Sequence, residues 1–270
     1  MTDEREDTVT VPEHTDTETL RLAARRTRRS FFVGGIAALA GFAGWRWLVG
    51  RRSEDDLPWP LRRTLENNEQ LARDYFRARR NAAEFPAARA SDPKVNGTEG
   101  LSDDFEPAGW RLAVEGVDSD EGSLELTAAD LKDLPRAGHV TELKCIEGWR
   151  HIVHWEGVRF ADFVAKYPPA PREDDSADDP AARAEYVALE TPDGGYYVGL
   201  DMASALHPQT LLCDTMNGRP LSSSHGGPLR LVIPVKYGIK NIKRIGRIRY
   251  TNTRPRDYWA ERGYDWFAGL

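Results

Sequence analysis

Hydrophobic residues are distributed in three different ways along this chain of 270 residues. Residues 1–20 have no apolar periodicity, residues 31–45 form an uncharged apolar run, and residues 110–250 contain short segments in which apolar and polar positions alternate. Alternation with a period of two residues is typical of β-strands with one buried face. The pattern therefore predicts a polar tail, an apolar segment of membrane type and a β-rich globular domain.

Turn and capping signals divide the globular part into strands and short helices. Thr127, followed three residues later by Asp130, matches a capping box that begins a helix, and Asp193-Gly194-Gly195 is a hairpin turn signal. Strands are predicted at 110–114, before Cys145, and at 152–158, 186–191 and 196–198, with helices after Thr127 and at 160–167 and 201–206. Strands with interspersed helices predict the α+β class.

Polar segments flank this domain. Residues 51–95 are rich in arginine and are predicted to form a polar helical connector, with a helix over 60–83 that lies on the domain. Residues 168–184 combine prolines with acidic residues and are predicted to be an exposed loop with solvated charges. The aromatic residues from Tyr258 to the C-terminus are predicted to pack back on the domain.

The N-terminus resembles a targeting signal. Residues 1–20 contain seven acids and one arginine, which predicts a disordered cytoplasmic tail over 1–29. The tail ends in Arg28-Arg29, and Ser30-Phe31-Phe32 and the apolar run follow, as in a twin-arginine export signal. Residues 30–50 are interpreted as a signal or membrane anchor, with an ordinary single-pass anchor as the alternative.

The sequence does not decide whether the apolar segment is cleaved after export. No small-x-small site follows the run, because Ala38-Leu39-Ala40 lies inside it. Extended through Leu48, the apolar stretch reaches roughly 20 residues, close to what a bilayer requires. We therefore expect export, with the globular domain periplasmic or otherwise extracytoplasmic and anchored to the cytoplasmic membrane by residues 31–50. The basic residues after the run are unusual for that orientation.

Composition excludes some functions and locates one cluster of positive charge. A formal net charge of -6 argues against nucleic-acid binding, and two cysteines are too few for a disulfide framework. Nine Lys or Arg and no acid nevertheless lie between Pro228 and Arg256. Arg230 and Lys243, with the glycines after His225, are typical of an anion site, although a basic outer face of a strand pair has the same composition.

Cys145 lies between an alternating run and a Gly-Trp turn, and four roles are open for it. A buried structural thiol is the simplest. A nucleophile would need His151 or His154 as its base, but a strand sends those two histidines to opposite faces. A zinc site would need the same histidines and a distant Cys213 or His225 as a further ligand. Cys213 is otherwise predicted to be a core residue. The fourth role is a single thiolate ligand to a soft metal carried by a cofactor.

Two motifs in this order resemble the molybdopterin-binding oxidoreductases of the sulfite oxidase superfamily. The first is Lys144-Cys145-Ile146-Glu147-Gly148-Trp149, and the second runs from His225 to Lys243 through Gly-Gly-Pro-Leu-Arg, Pro-Val-Lys-Tyr-Gly and Lys-Asn-Ile-Lys. Within the superfamily, the chain is most similar to the bacterial branch of the protein-methionine-sulfoxide reductase catalytic subunit. The resemblance implies a molybdopterin-binding catalytic domain over 96–270 with the sulfite-oxidase-type α+β fold.

The resemblance also implies a molybdenum-molybdopterin cofactor with Cys145 as catalytic residue and metal ligand. A thiolate suits a soft metal, and a single protein ligand leaves coordination sites open for atom transfer. Cofactor contacts are implied for Asn96, Thr191, His225, Arg230, Asn241, Ile242 and Lys243.

The implied reaction is two-electron oxygen-atom transfer on a small or protein-bound sulfoxide-like substrate. Because the chain has no haem-binding segment, we expect it to exchange electrons with a membrane haem-containing subunit. Only about 20 residues follow Tyr250, too few for the dimerisation domain of eukaryotic sulfite oxidases, so we expect a monomeric catalytic subunit, exported folded by the twin-arginine machinery. His225 and Val235 replace an asparagine and a tryptophan of the reductases, and Glu147 follows Cys145 where sulfite oxidases have an arginine-containing motif. A cell-surface binding module that keeps the fold without catalysis is the alternative.

Overall fold

The computed structural model describes residues 16–54, 57–75, 81–171 and 180–270. They divide into two compact units: one contains the N-terminal helix and extends to Arg52, with Pro58–Pro60, and the other contains Ser53–Leu57 and Leu61–Leu270. Residues 1–15 of the predicted tail and the acidic residues 173–175 and 178–179 of the predicted loop lie outside the described residues.

A single long helix, α1 (Asp16–Val49), dominates the N-terminal unit. By length and composition, Arg29–Val49 within it is apolar enough to cross a membrane, a test that a signal sequence near the N-terminus also meets. Phe31 is 82% exposed and Phe42 is 65% exposed. The helix begins at Asp16, so residues 16–29, which were predicted as disordered tail, are helical. Leucine, alanine and arginine predominate in residues 20–26 and are strong helix formers.

The rest of the described chain forms strands and four shorter helices. The helices are α2 (Trp59–Tyr75), α3 (Ala128–Lys132), α4 (Phe160–Lys166) and α5 (Met202–Ala205). The strands are β1 (Ser53–Glu54), β2 (Leu57–Pro58), β3 (Leu112–Glu115), β4 (Ser123–Leu126), β5 (Arg136–Lys144), β6 (Arg150–Arg159), β7 (Tyr186–Glu190), β8 (Tyr197–Asp201), β9 (Leu211–Met216), β10 (Arg219–Pro220), β11 (Arg230–Val232) and β12 (Arg247–Thr251).

Two five-stranded sheets form the framework. The first, here called the cysteine sheet, has the order β10-β9-β6-β5, and β11 also pairs with β9. The second has the order β4-β3-β12-β7-β8, in which β12 is parallel to β3 and antiparallel to β7. The cysteine sheet is antiparallel and the second sheet is mixed, and short helices lie between the strands along the chain, which confirms the predicted α+β class.

The alternation along the strands of the cysteine sheet directs side chains into two hydrophobic clusters. Leu212 and Leu231 belong to the larger cluster, which also contains Val187 and Ile248 of the second sheet. Cys213, which follows Leu212 on β9 and pairs with Arg230 of β11, belongs to a smaller cluster with Trp155, Val153, Leu211, Met216 and Val232. Cys213 is fully buried, which confirms its prediction as a core residue.

Most predicted elements of the globular part are present, but the predicted end of the connector helix is wrong. The capping box between Thr127 and Asp130 begins α3 as predicted, and α2 confirms the connector helix up to Tyr75. Residues 81–83, however, are not helical. The chain there runs into a β-bridge between Glu84 and Thr141, and Phe85 N–H donates to the Val140 carbonyl at 2.9 Å. Pairing with the edge strand β5 overrides the helical periodicity.

Candidate active site

Cys145 lies at the tip of the hairpin formed by β5 and β6. The two strands pair without interruption up to Lys144 and Arg150. The Cys145 N–H donates to the Trp149 carbonyl at 2.9 Å, and the Gly148 N–H donates to the Cys145 carbonyl at 3.1 Å. Gly148 has a φ of 90°, a left-handed conformation in which glycine avoids strain. The tight turn therefore holds the thiol at a fixed place outside the sheet.

A pocket of about 940 Å³ of empty space, its mouth included, opens beside this thiol. Loops 93–99, 225–230 and 238–243 converge on the hairpin tip to form its walls. The structure thereby brings together six of the eight predicted site residues, which are far apart in the sequence: Asn96, Cys145, His225, Arg230, Asn241 and Lys243.

Arg230 is the charged group at the buried end of the pocket. Its side chain is only 3% exposed, and it donates to the carbonyls of His225 at 3.0 Å and Asn241 at 3.1 Å. Its Nε is buried without a hydrogen-bond partner, and no carboxylate among the described residues pairs with it. Burial lowers the pKa of Arg230 to about 10, so the side chain is still a cation at neutral pH. A buried cation without a counter-ion is unfavourable, and an anionic ligand would relieve that cost.

Lys243 and His225 form hydrogen bonds with backbone carbonyls of loop 93–99. The Lys243 ammonium donates to the carbonyls of Asn96 at 2.6 Å, Gly97 at 3.1 Å and Ser224 at 3.0 Å, which occupies all three of its protons. His225 Nε2 lies 3.3 Å from the Pro93 carbonyl and its Nδ1 lies 2.8 Å from the Ser222 hydroxyl. Both residues were predicted as cofactor contacts. Their polar atoms instead hold the loop, and Lys243 contributes its charge to the pocket.

Asn241 has a similar internal role. Its Oδ1 accepts from the Ile233 N–H at 2.8 Å, and its Nδ2 donates to the Tyr237 carbonyl at 3.2 Å. Its own backbone carbonyl is one of the two acceptors of Arg230. The asparagine therefore fixes loop 238–243 and the orientation of the buried guanidinium at the same time.

Asn96 is the predicted cofactor residue nearest to the thiol. Its Nδ2 is 3.9 Å from Cys145 Sγ and 3.4 Å from Glu147 Oε2. The same carboxylate oxygen accepts from Trp149 Nε1 at 2.8 Å. The amide nitrogen of Asn96 carries two protons. One can therefore be directed at the Cys145 sulfur while the other is donated to the Glu147 carboxylate.

Thr191 and Ile242 do not line the pocket. The Thr191 hydroxyl donates to Asp193 at 2.6 Å and accepts from the Tyr196 N–H at 3.1 Å, so it serves the hairpin turn between β7 and β8. Ile242 is 1% exposed and belongs to the large hydrophobic cluster. Its carbonyl and N–H are also both bonded within the chain. The structure thus gives these two predicted contacts structural roles.

Several residues of the pocket were not predicted from the sequence. Among them are Lys94, Trp149, Tyr196, Gly238, Trp259 and Tyr264. Trp149 belongs to the cysteine motif, and its position two residues after Glu147 could have identified it. Trp259 and Tyr264 belong to the aromatic C-terminal stretch. Trp266 and Phe267 of that stretch are 4% and 2% exposed, which confirms that it packs back on the domain.

The geometry narrows the roles of Cys145. Neither His151 nor His154 lines the pocket, so neither is placed to act as a base for the thiol. Among the described residues, no group of three His, Cys, Asp or Glu could hold a metal ion, which argues against the zinc site. Burial raises the pKa of the Cys145 thiol, although a backbone hydrogen bond from Glu147 partly opposes the shift. A thiol of this kind becomes a thiolate when it binds a soft metal.

The donor set fits a molybdenum-pterin group. One half-buried thiol supplies a single soft ligand, and the buried Arg230 with its unpartnered Nε supplies a binding partner for an anionic group at the other end of the pocket. Gly226 allows the cationic loops to approach each other, because a Cβ there would lie 2.6 Å from Lys243 Cβ. Its φ of 94° is also one that other residues rarely adopt.

Comparison with known proteins supports this assignment. The model of the oxidoreductase molybdopterin binding domain family matches residues 99–259. A protein of Azospira oryzae, provisionally named protein-methionine-sulfoxide reductase subunit YedZ1, is 32% identical over 255 residues, which are 93% of this chain and 89% of that protein.

The chain is also similar to catalytic subunits named MsrP of the protein-methionine-sulfoxide reductase. That of Xanthomonas campestris pv. campestris is 32% identical over 56% of this chain and 48% of its own length, so the chain spans about half of it. That of Campylobacter jejuni is 29% identical over 76% of this chain and 67% of its own length. The sulfane dehydrogenase SoxCD of Paracoccus pantotrophus matches in structure with a TM-score of 0.47 and 19% identity, over 56% of this chain and 40% of its own.

Proposed function

This chain belongs to the molybdopterin-binding oxidoreductases of the sulfite oxidase superfamily, and on that basis we propose that it reduces an S-oxide to the thioether. The balanced reaction is R₂S=O + 2H⁺ + 2e⁻ → R₂S + H₂O. The observation that carries the proposal is that Cys145 and the buried Arg230, a cation without a carboxylate partner, line one pocket. That pocket has a place for a metal and a place for an anion.

The family's molybdenum-molybdopterin cofactor supplies, when bound, the two-electron oxygen-atom chemistry. In this chain, the Cys145 sulfur would hold the metal, and the Arg230 guanidinium would bind the anionic phosphate end of the pterin. Lys243 would add positive charge there without donating a further proton, because its three protons already go to carbonyl groups. Asn96 would face the sulfur from the side of Glu147.

Glu147 favours an uncharged substrate over an anion such as sulfite. Its carboxylate is exposed at the pocket, and its hydrogen bonds come from the neutral groups of Trp149 and Asn96. A negative charge beside the thiol raises the energy of an incoming anion, whereas a neutral sulfoxide experiences no such repulsion. The names of the reductase relatives point to the same substrate class.

The proposal also covers the source of the electrons and the cellular location of the enzyme. The two electrons come from a separate membrane haem-containing subunit, in the role that the word subunit in the relatives' names suggests. The Arg28-Arg29 pair at the start of the apolar segment supports export by the twin-arginine route to the periplasmic side, with residues 31–50 as the anchor. The catalytic subunit acts as a monomer.

An activity screen of the molybdenum-loaded full-length chain tests the proposal. A reduced viologen dye replaces the partner as electron donor, and methyl sulfoxides, amine N-oxides and sulfate are offered as acceptors, with sulfite oxidation assayed separately using ferricyanide. We expect dye oxidation with sulfoxides and its loss in Cys145→Ser. Sulfite oxidation without sulfoxide reduction would contradict the proposal.

A further inference from the structure

The pocket has two chemically different ends. Arg230 at one end is 3% exposed, whereas Tyr264 at the other is 40% exposed and Trp259 is partly exposed. The buried end is cationic and suits the phosphate of the cofactor. The exposed part of the lining contains the aromatic residues Trp259 and Tyr264 together with the charged residues Lys94, Glu99 and Glu147.

Trp259 and Tyr264 form one rigid aromatic surface, here called the aromatic wall. Their rings pack edge to face, with centroids 5.1 Å apart and planes at 79°. A tight turn brings them together: the Tyr264 N–H donates to the Trp259 carbonyl at 3.0 Å, and Gly263 takes a φ of 89°. The family model ends at Trp259, so Tyr264 lies outside the matched domain.

The aromatic wall is fastened to the loop that also forms the cofactor end of the pocket. Asp257 accepts from the buried Lys240 ammonium and from the Gly199 N–H, and its other oxygen accepts from the Ala260 N–H at 3.0 Å. The Trp259 ring packs against Tyr258, with centroids 5.4 Å apart, and Tyr258 packs against Tyr196, with centroids 5.0 Å apart. The Tyr196 hydroxyl donates to the Ile239 carbonyl at 2.6 Å. These contacts hold the wall at a fixed position relative to loop 238–243.

A wall of this chemistry recognises an apolar or aromatic group. Aromatic rings bind other rings edge to face and bind sulfur at their edges and faces, and neither interaction requires a charge on the ligand. Two fixed side chains with few rotatable bonds also lose little entropy when they bind. A small hydrophilic S-oxide would use little of this surface.

We infer that the aromatic wall is the specificity site of the enzyme. Trp259 and Tyr264 bind the organic substituent of the substrate and thereby select S-oxides with an aryl or large apolar flank over small ones. The inference rests on the proposed S-oxide reduction and names the substrate class of that same pocket. In this role Trp259 and Tyr264 contact the substrate and take no part in electron or proton transfer.

Kinetics of the full-length holoenzyme test the inference with two substrates. KM and kcat are measured for methyl phenyl sulfoxide and dimethyl sulfoxide in the wild type, Trp259→Leu and Tyr264→Leu. We expect KM for the aryl substrate to rise about three- to tenfold, in line with the strength of single aromatic contacts. The KM for dimethyl sulfoxide and both kcat values should change less than about twofold. Tyr75→Leu, a substitution on α2 at a side chain that is 72% exposed and outside this pocket, is the matched control.

Direct binding supplies a second readout that does not depend on turnover. Methyl phenyl sulfone, which has the same substituents, is titrated calorimetrically into each holoenzyme, and its affinity should fall in Trp259→Leu by the same factor as KM rises. Molybdenum content is measured on the same samples and should stay unchanged.

Three results would overturn the inference. They are equal effects on both sulfoxides, sulfone binding that is insensitive to Trp259→Leu, and loss of molybdenum in Trp259→Leu with the fold intact, which would assign the wall to the cofactor. If the wild type reduces neither sulfoxide, the proposed function fails, and sulfone binding then decides whether the wall recognises aryl groups.

Discussion

Lys240 and Asp257 form an ion pair in the protein interior, where their side chains are 1% and 2% exposed. Lys240 belongs to the loop that carries Asn241 and Lys243, and Asp257 precedes the aromatic wall. The pair therefore joins the cofactor end of the pocket to the end that receives substrate. Lys240 also donates to the Gly199 carbonyl at 2.9 Å and lies 4.6 Å from the ring centroid of Trp266.

Removing one partner of this pair should be costly for folding. Asp257→Ala leaves the Lys240 charge buried, so we expect the free energy of unfolding to fall by about 3–5 kcal/mol. Urea unfolding of the full-length chain in detergent measures it. The control is Arg219→Ala, which breaks an ion pair with Asp92 whose side chains are 68% and 59% exposed, and it should cost less than about 1 kcal/mol. Equal losses of unfolding free energy in the two variants would show that the buried ion pair contributes no more to stability than the exposed one.

Arg230 should control retention of the cofactor. The Arg230→Gln variant removes the cation but keeps hydrogen-bonding capacity towards the carbonyls of His225 and Asn241. Charge-assisted hydrogen bonds to an anion are worth about 1.5–3 kcal/mol, so cofactor affinity should fall roughly ten- to a hundredfold. Molybdenum and pterin content after gel filtration measures the loss. Arg256→Gln, at a side chain 75% exposed outside the pocket, should retain both. Full retention in Arg230→Gln would contradict the assigned anion site.

Anion binding should depend on pH through Lys243. Burial, and secondarily the nearby Arg230, lowers the pKa of Lys243 from its usual 10.5 to about 8. The unfolded chain therefore holds more protons than the folded chain between about pH 8 and 10.5, and this group's contribution to the stability of the cofactor-free protein rises across that window. An anion prefers the protonated side chain, so its stabilising effect should fall over the same window.

Sulfate provides the measurement, because its charge is constant from pH 7 to pH 9. The increase in Tm that sulfate gives the cofactor-free chain should be larger at pH 7 than at pH 9. In Lys243→Met the two increases should be equal. If the sulfate-induced increase in Tm of the wild type does not change with pH, Lys243 is not part of the anion site.

The sequence was sufficient for the five predicted strands, the capped helix and the cysteine hairpin because these features have short-range causes. Alternation, the Thr127 and Asp130 capping pair and the turn glycines each determine local structure. One error arises where a long-range contact overrides the local pattern. Residues 81–83 left the helical pattern because Glu84 pairs with a strand more than fifty residues away.

The sequence predicted which motif residues lie at the site, but it did not predict which hydrogen bonds each of them forms. Sequence likeness grouped Lys243, His225 and Asn241 as cofactor contacts, but their hydrogen-bond capacity is largely used on backbone groups of the pocket loops. Thr191 and Ile242 were grouped with them, and their side chains lie in a turn and in the core. The spacing of residues along the sequence does not predict which acceptor a side chain reaches, because the acceptor depends on how separate loops pack against each other.

The central claim is that the Cys145 sulfur holds molybdenum in this pocket. The measurement is the molybdenum content per chain of full-length protein purified from a host that makes the cofactor, compared among wild type, Cys145→Ser and Cys213→Ala. Cys213 is the matched control, because it is the other cysteine and is buried in the core. The account predicts close to one molybdenum per chain in the wild type and in Cys213→Ala, and almost none in Cys145→Ser. A folded Cys145→Ser protein with undiminished molybdenum, or a folded wild type without it, would contradict the account.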